Sequence, residues 1–386
     1  MSKPGKINTG SRSENNPGLT SAGWHLILTP LMKIQFYDLG AENQNLAPEF
    51  RTAFERILAS GRFVLGPELA AFEQALADYL KVQQAIGLKS GTDALYFALR
   101  ALGIGNGDQV ITTPFTFPAT IEAILRTGAQ PVLVDIESQT LGLNPELLPA
   151  AITPRTKAIL LVHLFGNCTD LQQFLTIARN YHLHLIEDAA QAIGSEYQGK
   201  KLGSFGSTAA ISFYPTKNLG ALGNGGALLL NPEINSEHNV LTEIPTSARL
   251  DELQAAFLAI KLRHLDQNLN RRREIATLYR TALGPFVRIA GSAPGSLPNY
   301  HQFAILVSDR DRLRAGLGSR GIETMVYYPE PIHHQQRFAY LFNYGQLPVA
   351  EQTAREILCL PIRQNLTEPE IQFIINNIIE LLRRLK

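Results

Sequence analysis

The chain has 386 residues, of which 45% are hydrophobic, and its 35 basic and 34 acidic residues leave a formal net charge of +1. This length provides for one large domain and a smaller one, with ample apolar surface for a core. A charge so close to zero, without a long block of Lys and Arg, argues against nucleic acid or an anionic membrane as a partner and favours a small molecule.

The cysteine and hydropathy patterns bear on metal sites, the cellular compartment and membrane spans. Cys168 and Cys359 are far apart and neither belongs to a CxxC pair, so we expect no structural metal site. Reduced thiols are the default in a cytoplasm, where we expect the protein to reside. No apolar run reaches the roughly 18 residues of a membrane span, so no membrane partner is expected.

The first residues differ in composition from the rest. Residues 1–23 are rich in Gly, Ser, Asn and Pro and contain little to bury, as is typical of disordered tails. We predict that residues 1–31 are a disordered extension or an over-extended start, and that the folded unit begins at Met32.

Short apolar runs of β type alternate with helical patterns from Ala85 onward, which is typical of an α/β domain with a mostly parallel sheet. Amphipathic stretches at 92–102, 171–181 and 250–283 lie between or after these runs. The seven predicted strands are residues 85–88, 110–113, 132–136, 158–165, 183–188, 209–213 and 227–230.

The pattern changes after Gly284 and Pro285, where a Gly/Pro/Ser-rich passage leads into shorter strands and helices. We place a domain boundary near residue 285. The prediction is a large α/β domain with an N-terminal arm at 32–284 and a small α+β domain at 285–386.

In open α/β sheets the ligand lies beyond the carboxyl ends of the strands, so we examine the residues that follow each run. Residues 90–95 (SGTDAL) open a helix after the first strand, and free N–H groups at a helix start suit a phosphate; a plain N-cap at Ser90 or Thr92 is the alternative. Residues 114–120 (PFTFPAT) bring Phe115 and Phe117 to a strand end, either to stack on a flat cofactor or to plug the space between helix and sheet.

Two further sets follow later strands. Residues 187–191 (EDAAQ) close an apolar strand, where a carboxylate is costly without a partner. Asp188 can hold a protonated ring nitrogen and Gln191 can reach a ring oxygen, or the carboxylate can cap a helix. Residues 212–218 (SFYPTKN) contain Lys217, whose amine becomes nucleophilic once desolvation lowers its pKa; a solvated loop lysine is the alternative.

Together these sets supply a phosphate cradle, a stacking ring, an anion for a pyridinium nitrogen and a lysine for an aldehyde. Pyridoxal phosphate needs all four. Their order on successive strand ends favours the joint interpretation over four unrelated local roles. A nicotinamide site is excluded, because residues 103–107 (GIGNG) lack GxGxxG spacing and follow a helix rather than a strand.

The sequence resembles the DegT/DnrJ/EryC1/StrS family of pyridoxal-phosphate-dependent sugar aminotransferases, which have the aspartate-aminotransferase-like fold of type I. The resemblance extends from Met32 to the end of the chain. The motifs that carry it are residues 36–39 (FYDL), 60–68 (SGRFVLGPE), 91–95 (GTDAL), 162–166 (VHLFG), 187–191 (EDAAQ), 212–218 (SFYPTKN), 249–254 (RLDELQ) and 328–333 (YPEPIH).

The resemblance implies roles for individual residues. Lys217 matches the lysine that forms a Schiff base with the cofactor and shuttles the proton. Asp188 matches the aspartate that keeps the pyridine nitrogen protonated, and Gln191 would lie beside the ring oxygen. The remaining implied contacts are a stacking ring from Phe117, phosphate contacts from Gly91, Thr92 and Ser212, and substrate contacts from Asn218, Tyr328 and His333.

The resemblance also implies a reaction. An amino donor, glutamate or glutamine, charges the cofactor, which then aminates a keto group of a nucleotide-linked sugar, with a homodimer as the expected assembly. A related branch that dehydrates sugars has a histidine in place of the lysine, and Lys217 argues against it. A keto-cyclitol substrate, or a non-catalytic or regulatory descendant of the fold, stays open as an alternative.

The sequence departs from the family pattern at three places. The stretch from Asn231 to Ala248 is shorter than usual in the family. Ser247 stands where the family commonly has an asparagine that the partner subunit lends to the phosphate. Tyr327 precedes Tyr328 and Pro329 where the family often has a histidine, which we expect to alter substrate contacts.

Overall fold

The computed structural model describes residues 33–231, 240–342 and 345–385. The predictions for residues 1–31, and for much of the shortened stretch at 231–248, fall outside the described residues. No helix within the described ranges is long and apolar enough to cross a membrane.

Thirteen strands lie within the described residues, and the longer of them occur where short apolar runs are bounded by turn residues. In chain order they are β1 (Gln84–Leu88), β2 (Gln109–Thr112), β3 (Gln130–Leu133), β4 (Thr156–Val162), β5 (His184–Asp188), β6 (Glu196–Tyr197), β7 (Lys200–Lys201), β8 (Thr208–Ser212), β9 (Gly226–Leu230), β10 (Arg288–Ile289), β11 (Ser296–Leu297), β12 (Phe303–Leu306) and β13 (Ile357–Leu360).

Thirteen α-helices lie within the described residues, and the longer of them carry the apolar periodicity of elements that pack against a core. They are α1 (Leu39–Gln44), α2 (Ala47–Ser60), α3 (Pro67–Leu80), α4 (Gly91–Arg100), α5 (Ala119–Arg126), α6 (Leu148–Ala151), α7 (Leu171–Asn180), α8 (Val240–Glu243), α9 (Glu252–Leu262), α10 (Leu265–Leu283), α11 (Arg310–Ser319), α12 (Pro348–Glu356) and α13 (Glu368–Leu385). Short 3-10 helices lie at Pro145–Leu147, Leu164–Gly166, Thr246–Ala248, Ile332–His334 and Ala339–Leu341.

All seven predicted strands belong to one sheet, whose order is β1-β9-β8-β5-β4-β2-β3. β9 is antiparallel to β1 and to β8, and the pairs from β8 through β3 are parallel. Six strands therefore end at one edge of the sheet, and β9 begins there. The predicted mostly parallel α/β sheet is confirmed.

Both faces of this sheet are buried, which explains why its strands are continuous apolar runs. Leu185 and Ala209 pack with α3, α7 and α9 on one face. Ile186 and Ala210 pack with α4 and α5 on the other. Successive residues of a strand point to opposite faces, so each strand contributes to both cores.

The predicted helical stretch at 250–283 is two helices. α9 ends before Arg263, and α10 begins at Leu265 after a turn in which the His264 N–H donates to the Lys261 carbonyl over 3.0 Å. Periodicity alone does not reveal this break, because apolar residues occur on both sides of it.

The chain after residue 285 builds a second sheet in the order β10-β12-β13, in which β12 is antiparallel to both of its neighbours. α10 packs Ile275 and Tyr279 against this sheet and against α11 and α13. The start of α10, at Leu265 and Leu269, packs instead in the core of the large sheet. α10 thus connects the two cores, and the boundary near residue 285 stays a prediction.

Candidate active site

A cavity of about 670 Å³ lies where the parallel strands end. Eight of the ten predicted site residues line it. They are Gly91, Thr92, Phe117, Asp188, Gln191, Ser212, Lys217 and Tyr328. The carboxyl edge of the sheet is where ligands bind in open α/β folds, so this cavity is the candidate active site.

The start of α4 forms one end of the cavity. Ser90 is its N-cap, since the Ser90 hydroxyl accepts from the Asp93 N–H over 3.0 Å. Gly91 and Thr92 occupy the first helical positions, whose N–H groups have no partner within a helix. A Cβ built on Gly91 would lie 2.8 Å from the Ser212 Cβ, so only Gly lets β8 approach this helix start. The first turn of α4 can therefore be capped by Ser90 and still bind a phosphate through its free N–H groups.

Asp188 ends β5 inside the cavity. Its carboxylate accepts hydrogen bonds from the Thr120 hydroxyl over 2.8 Å and from the Ala190 N–H over 3.2 Å. Burial raises the pKa of Asp188, although these two bonds oppose the effect. A cationic group in front of the carboxylate would favour its ionised form.

Glu187 precedes Asp188 and points to the other face of the sheet. It accepts backbone N–H bonds from Gly203, Phe205 and Gly206, and its Oε2 lies 2.9 Å from Nε2 of His163. Burial opposes ionisation of Glu187, but the imidazole and these N–H groups outweigh burial and lower its pKa. This carboxylate fixes the walls around the strand end rather than facing a ligand.

Lys217 lies on the connection from β8 to β9. The backbone N–H of Lys217 donates to the Tyr214 carbonyl over 2.8 Å. The backbone N–H of Ala221 donates to the Phe213 carbonyl over 2.8 Å, which closes the turn. Burial lowers the pKa of Lys217 to about 8, while the charge of Asp188 acts in the opposite direction. The amine is thus closer to its nucleophilic form at neutral pH than a solvated lysine.

The two phenylalanines of residues 114–120 have different positions. Phe115 is completely buried, as a hydrophobic plug would be, whereas Phe117 is 57% exposed and faces the cavity. The Phe117 ring lies 6.3 Å from the Tyr328 ring. Gln191 donates to the Tyr328 hydroxyl over 3.2 Å and accepts from the Phe165 N–H over 2.7 Å.

Two predicted substrate residues do not line the cavity. Asn218 donates to the Asn299 carbonyl over 3.1 Å, and its Oδ1 lies 3.1 Å from Nδ1 of His301, which does line the cavity. His333 lies in a 3-10 helix, with its Nε2 3.3 Å from Oε1 of Glu351. Asn218 therefore braces the wall, and His333 contacts the start of α12.

The sequence prediction missed several lining residues, notably Tyr37, Thr120, His163, His301 and Gln302. His163 directly follows β4, so the strand-end rule that selected Asp188 applies to it equally. Tyr37 lies in the 36–39 motif of the family resemblance, although no site role was predicted for it, and Gln302 belongs to none of the motifs; tertiary packing brings both to the cavity. Tyr327, which replaces the family's usual histidine, also lines the cavity.

These residues fit pyridoxal phosphate. The close approach at Gly91 leaves a helix start open for a phosphate, Asp188 is a buried carboxylate without a cationic hydrogen-bond partner in the described part of the chain, and Lys217 is an amine of lowered pKa. Each property matches one functional group of this cofactor.

Comparison with known proteins agrees with this geometry. The model of the DegT/DnrJ/EryC1/StrS aminotransferase family matches residues 44–379. A relative from Geobacillus stearothermophilus, called pleiotropic regulatory protein, is 41% identical over 91% of this chain and 99% of its own length. The dTDP-3-amino-3,4,6-trideoxy-alpha-D-glucose transaminase of Streptomyces venezuelae is 41% identical over 91% of this chain and 97% of its own length.

A solved structure has the same fold. The crystal structure of S. venezuelae DesV in complex with a ketimine intermediate superposes with a TM-score of 0.87 at 40% identity, covering 92% of this chain and all of that chain.

Proposed function

Since this chain belongs to the DegT/DnrJ/EryC1/StrS aminotransferase family, whose members depend on pyridoxal phosphate, we propose that it transfers an amino group from glutamate or glutamine to a keto group of a nucleotide-linked sugar. Its buried, unpaired cysteines suit a cytoplasmic enzyme. The observation that carries the proposal is the convergence of Lys217 and Asp188 on one cavity that also holds an open helix start.

Each side chain has a defined task in this proposal. Gly91, Thr92 and Ser212 would hold the phosphate, Phe117 would stack on the ring, and Gln191 would contact the ring oxygen. Asp188 would keep a proton on the ring nitrogen. The bound cofactor supplies an electron sink that lets an amino group leave one carbon and be delivered to another.

Lys217 is the proposed acid and base. Its Nζ would hold the bound cofactor and would carry a proton to and from the reacting carbon in both halves of the reaction. A pKa near 8 suits this role, because an effective proton carrier has a pKa close to the working pH.

A group of polar side chains that line the cavity supports a sugar as acceptor. Gln302 donates to the Tyr37 hydroxyl over 2.7 Å, and the hydroxyls of Tyr37 and Tyr327 are 3.4 Å apart. All three residues line the cavity. A cluster of hydroxyl and amide groups matches the hydroxyls of a sugar ring, and Tyr328 lies beside it.

The dTDP-sugar relative suggests where a substrate search should begin. The protein is loaded with pyridoxal phosphate and treated with glutamate or glutamine, which should remove the visible absorbance band of the lysine-bound cofactor. A panel of dTDP- and UDP-linked keto sugars, with a keto-cyclitol as comparison, should then restore it. The band should be missing in Lys217→Ala; a loaded wild type without a band, or one that no donor bleaches, would contradict the proposal.

A regulatory protein is the second candidate, because one relative is called a pleiotropic regulatory protein. A regulator without catalysis would bind the cofactor and fail in both half-reactions. The same experiment therefore separates the two functions.

We also propose a homodimer. Five large apolar side chains of α2 and the turn after it are 46–58% exposed, namely Phe54, Leu58, Phe63, Val64 and Leu65. Such a patch favours a protein interface. Light scattering should give twice the mass of one chain, and charged substitutions at Leu58 and Val64 should produce monomers; a monomeric wild type at micromolar concentration would contradict the proposal.

A further inference from the structure

We infer that Lys261 of α9 is a positioning residue that holds the loop bearing Lys217 in its catalytic geometry, an inference that rests on the proposed function. Lys261 does not itself line the cavity. It acts on the reaction only through the backbone of that loop.

The contact is a single short hydrogen bond. Nζ of Lys261 donates to the carbonyl oxygen of Gly220 over 2.6 Å. A charged donor gives a shorter and stronger bond than a neutral one. Gly220 lies three residues after Lys217, so the bond fixes the chain immediately past the proposed catalytic amine.

The loop transmits any shift of Gly220 to Lys217. A Cβ built on Gly220 would lie 2.2 Å from the Pro215 carbonyl oxygen and 3.1 Å from that of Lys217. The chain therefore folds tightly back on itself between Pro215 and Gly220, with Lys217 between them. Dense packing of this kind moves as a unit rather than absorbing a displacement at one residue.

A second anchor holds the other part of the loop. Asn218 contacts Asn299 and His301 through its side-chain amide. These partners belong to the segment before β12, whereas Lys261 belongs to α9. Two elements that are far apart in sequence thus hold the loop. If either contact is lost, the loop that carries Lys217 keeps only the other anchor.

The chemistry of Lys261 agrees with a dedicated contact. Burial lowers its pKa, and the negative charge of Glu42 in α1 acts in the opposite direction. Among the described residues it has no carboxylate within salt-bridge distance. Lys261 is half-buried, and partial removal of a cation from water is unfavourable unless its hydrogen bonds are well formed; the Gly220 carbonyl supplies such a bond.

The test compares Lys261→Met, which removes the donor, with Lys261→Arg, which keeps a cationic donor. Arg263→Met is the matched control, because Arg263 lies two residues on and forms an exposed pair with Glu49. In Lys261→Met we expect kcat to fall by about 10- to 100-fold through misplacement of the amine, with KM for donor and acceptor changed less than about threefold. Lys261→Arg should recover most of kcat, and the control should match wild type.

Two readouts separate positioning from general stability. The pH midpoint of the absorbance band of the lysine-bound cofactor should move by about 0.5 unit or more in Lys261→Met, because the amine has a new environment. Amide hydrogen exchange of the cofactor-free protein should rise in residues 214–221 and stay unchanged in β5. A folded Lys261→Met with unchanged midpoint and loop exchange would overturn the inference, whatever its kcat.

If Lys261→Met does not fold, Lys261→Gln is assessed by the same two readouts, and failure of both variants to fold would also overturn the inference. A wild type that lacks the band or the half-reactions would contradict the proposed function instead. The two failures are therefore distinguishable.

Discussion

Glu187 and Asp188 are neighbours in β5, yet their carboxylates have pKa values shifted in opposite directions. Glu187 has three backbone N–H donors and an imidazole around it, and its pKa is lowered. Asp188 faces the cavity with two hydrogen bonds, and burial raises its pKa. The protein itself fills the hydrogen-bonding capacity of the Glu187 carboxylate, whereas the Asp188 carboxylate keeps capacity for a ligand.

Glu187→Gln should destabilise the fold strongly. The new NH2 group would face N–H donors and leave at least one buried donor unpaired, at a cost of about 2–5 kcal/mol in the free energy of unfolding. Urea unfolding measures this cost. Glu122→Gln is the control, because Glu122 forms an exposed pair with Arg337 that contributes about 1 kcal/mol or less.

The same substitution predicts a pH dependence. A carboxylate of lowered pKa stabilises the folded state above the ordinary Glu pKa of about 4.3, and this contribution is lost as the pH falls below it. The difference in unfolding free energy between wild type and Glu187→Gln should therefore shrink in acid. A constant difference down to pH 3 would show that the pKa of Glu187 is the same in the folded and unfolded protein, and a difference that grows in acid would show that folding raises this pKa.

Uptake of pyridoxal phosphate by the cofactor-free protein should depend on the protonation of Lys217. Only the neutral amine attacks the aldehyde, so the rate should rise with pH through a midpoint of about 8. In Asp188→Asn the charge that raises the Lys217 pKa is gone, and the midpoint should fall below 8. Stopped-flow absorbance measures both, with the surface variant Asp311→Asn as control; an unmoved midpoint would show that Asp188 does not act on Lys217.

Gly91→Val should weaken cofactor binding by at least about 100-fold. Even its Cβ would lie 2.8 Å from Ser212, so the helix start and β8 must separate and the proposed phosphate contacts are disrupted. Fluorescence titration with pyridoxal phosphate measures the affinity. In the control Gly105→Ala the nearest atom to the new Cβ is 3.7 Å away, and affinity equal to wild type is expected.

Thr120→Val should weaken cofactor binding more modestly. The substitution keeps the shape but removes the 2.8 Å bond to Asp188, which lowers the pKa of that carboxylate. The Asp188 pKa should therefore rise, and cofactor affinity should fall by about 5- to 10-fold, as expected for one neutral donor to a charged group. Thr52→Val on the exposed face of α2 is the control, and equal affinities in the two variants would contradict a role for Thr120 at the ring nitrogen.

The sequence was sufficient to predict all seven strands of the main sheet, because each is an apolar run with both faces buried. The strand-end rule also selected Asp188, Lys217 and the start of α4, which line one cavity because the strand ends converge at one edge. The break between α9 and α10 was missed, because it involves a turn without Gly or Pro.

Other contacts depend on packing that no local pattern encodes. Tyr37 and Gln302 are 265 residues apart and neither lies in a helix or strand, so their contact forms only in the folded protein. His333 carries a motif that suggests a substrate contact, yet the fold turns it toward Glu351. Backbone carbonyls such as that of Gly220 have no sequence signature at all, so the partner of Lys261 could only be found in three dimensions.

The antiparallel direction of β9 has a consequence for how the site is assembled. Because β8 and β9 are adjacent and run in opposite directions, the segment with Lys217 joins them without a crossover helix. Closing so short a loop costs little chain entropy, whereas the pair of Thr120 and Asp188 joins residues 68 positions apart. The hairpin that carries Lys217 thus closes through local contacts and needs long-range contacts only for its anchors at Lys261 and Asn299, whereas the Thr120–Asp188 bond depends on long-range assembly of the sheet.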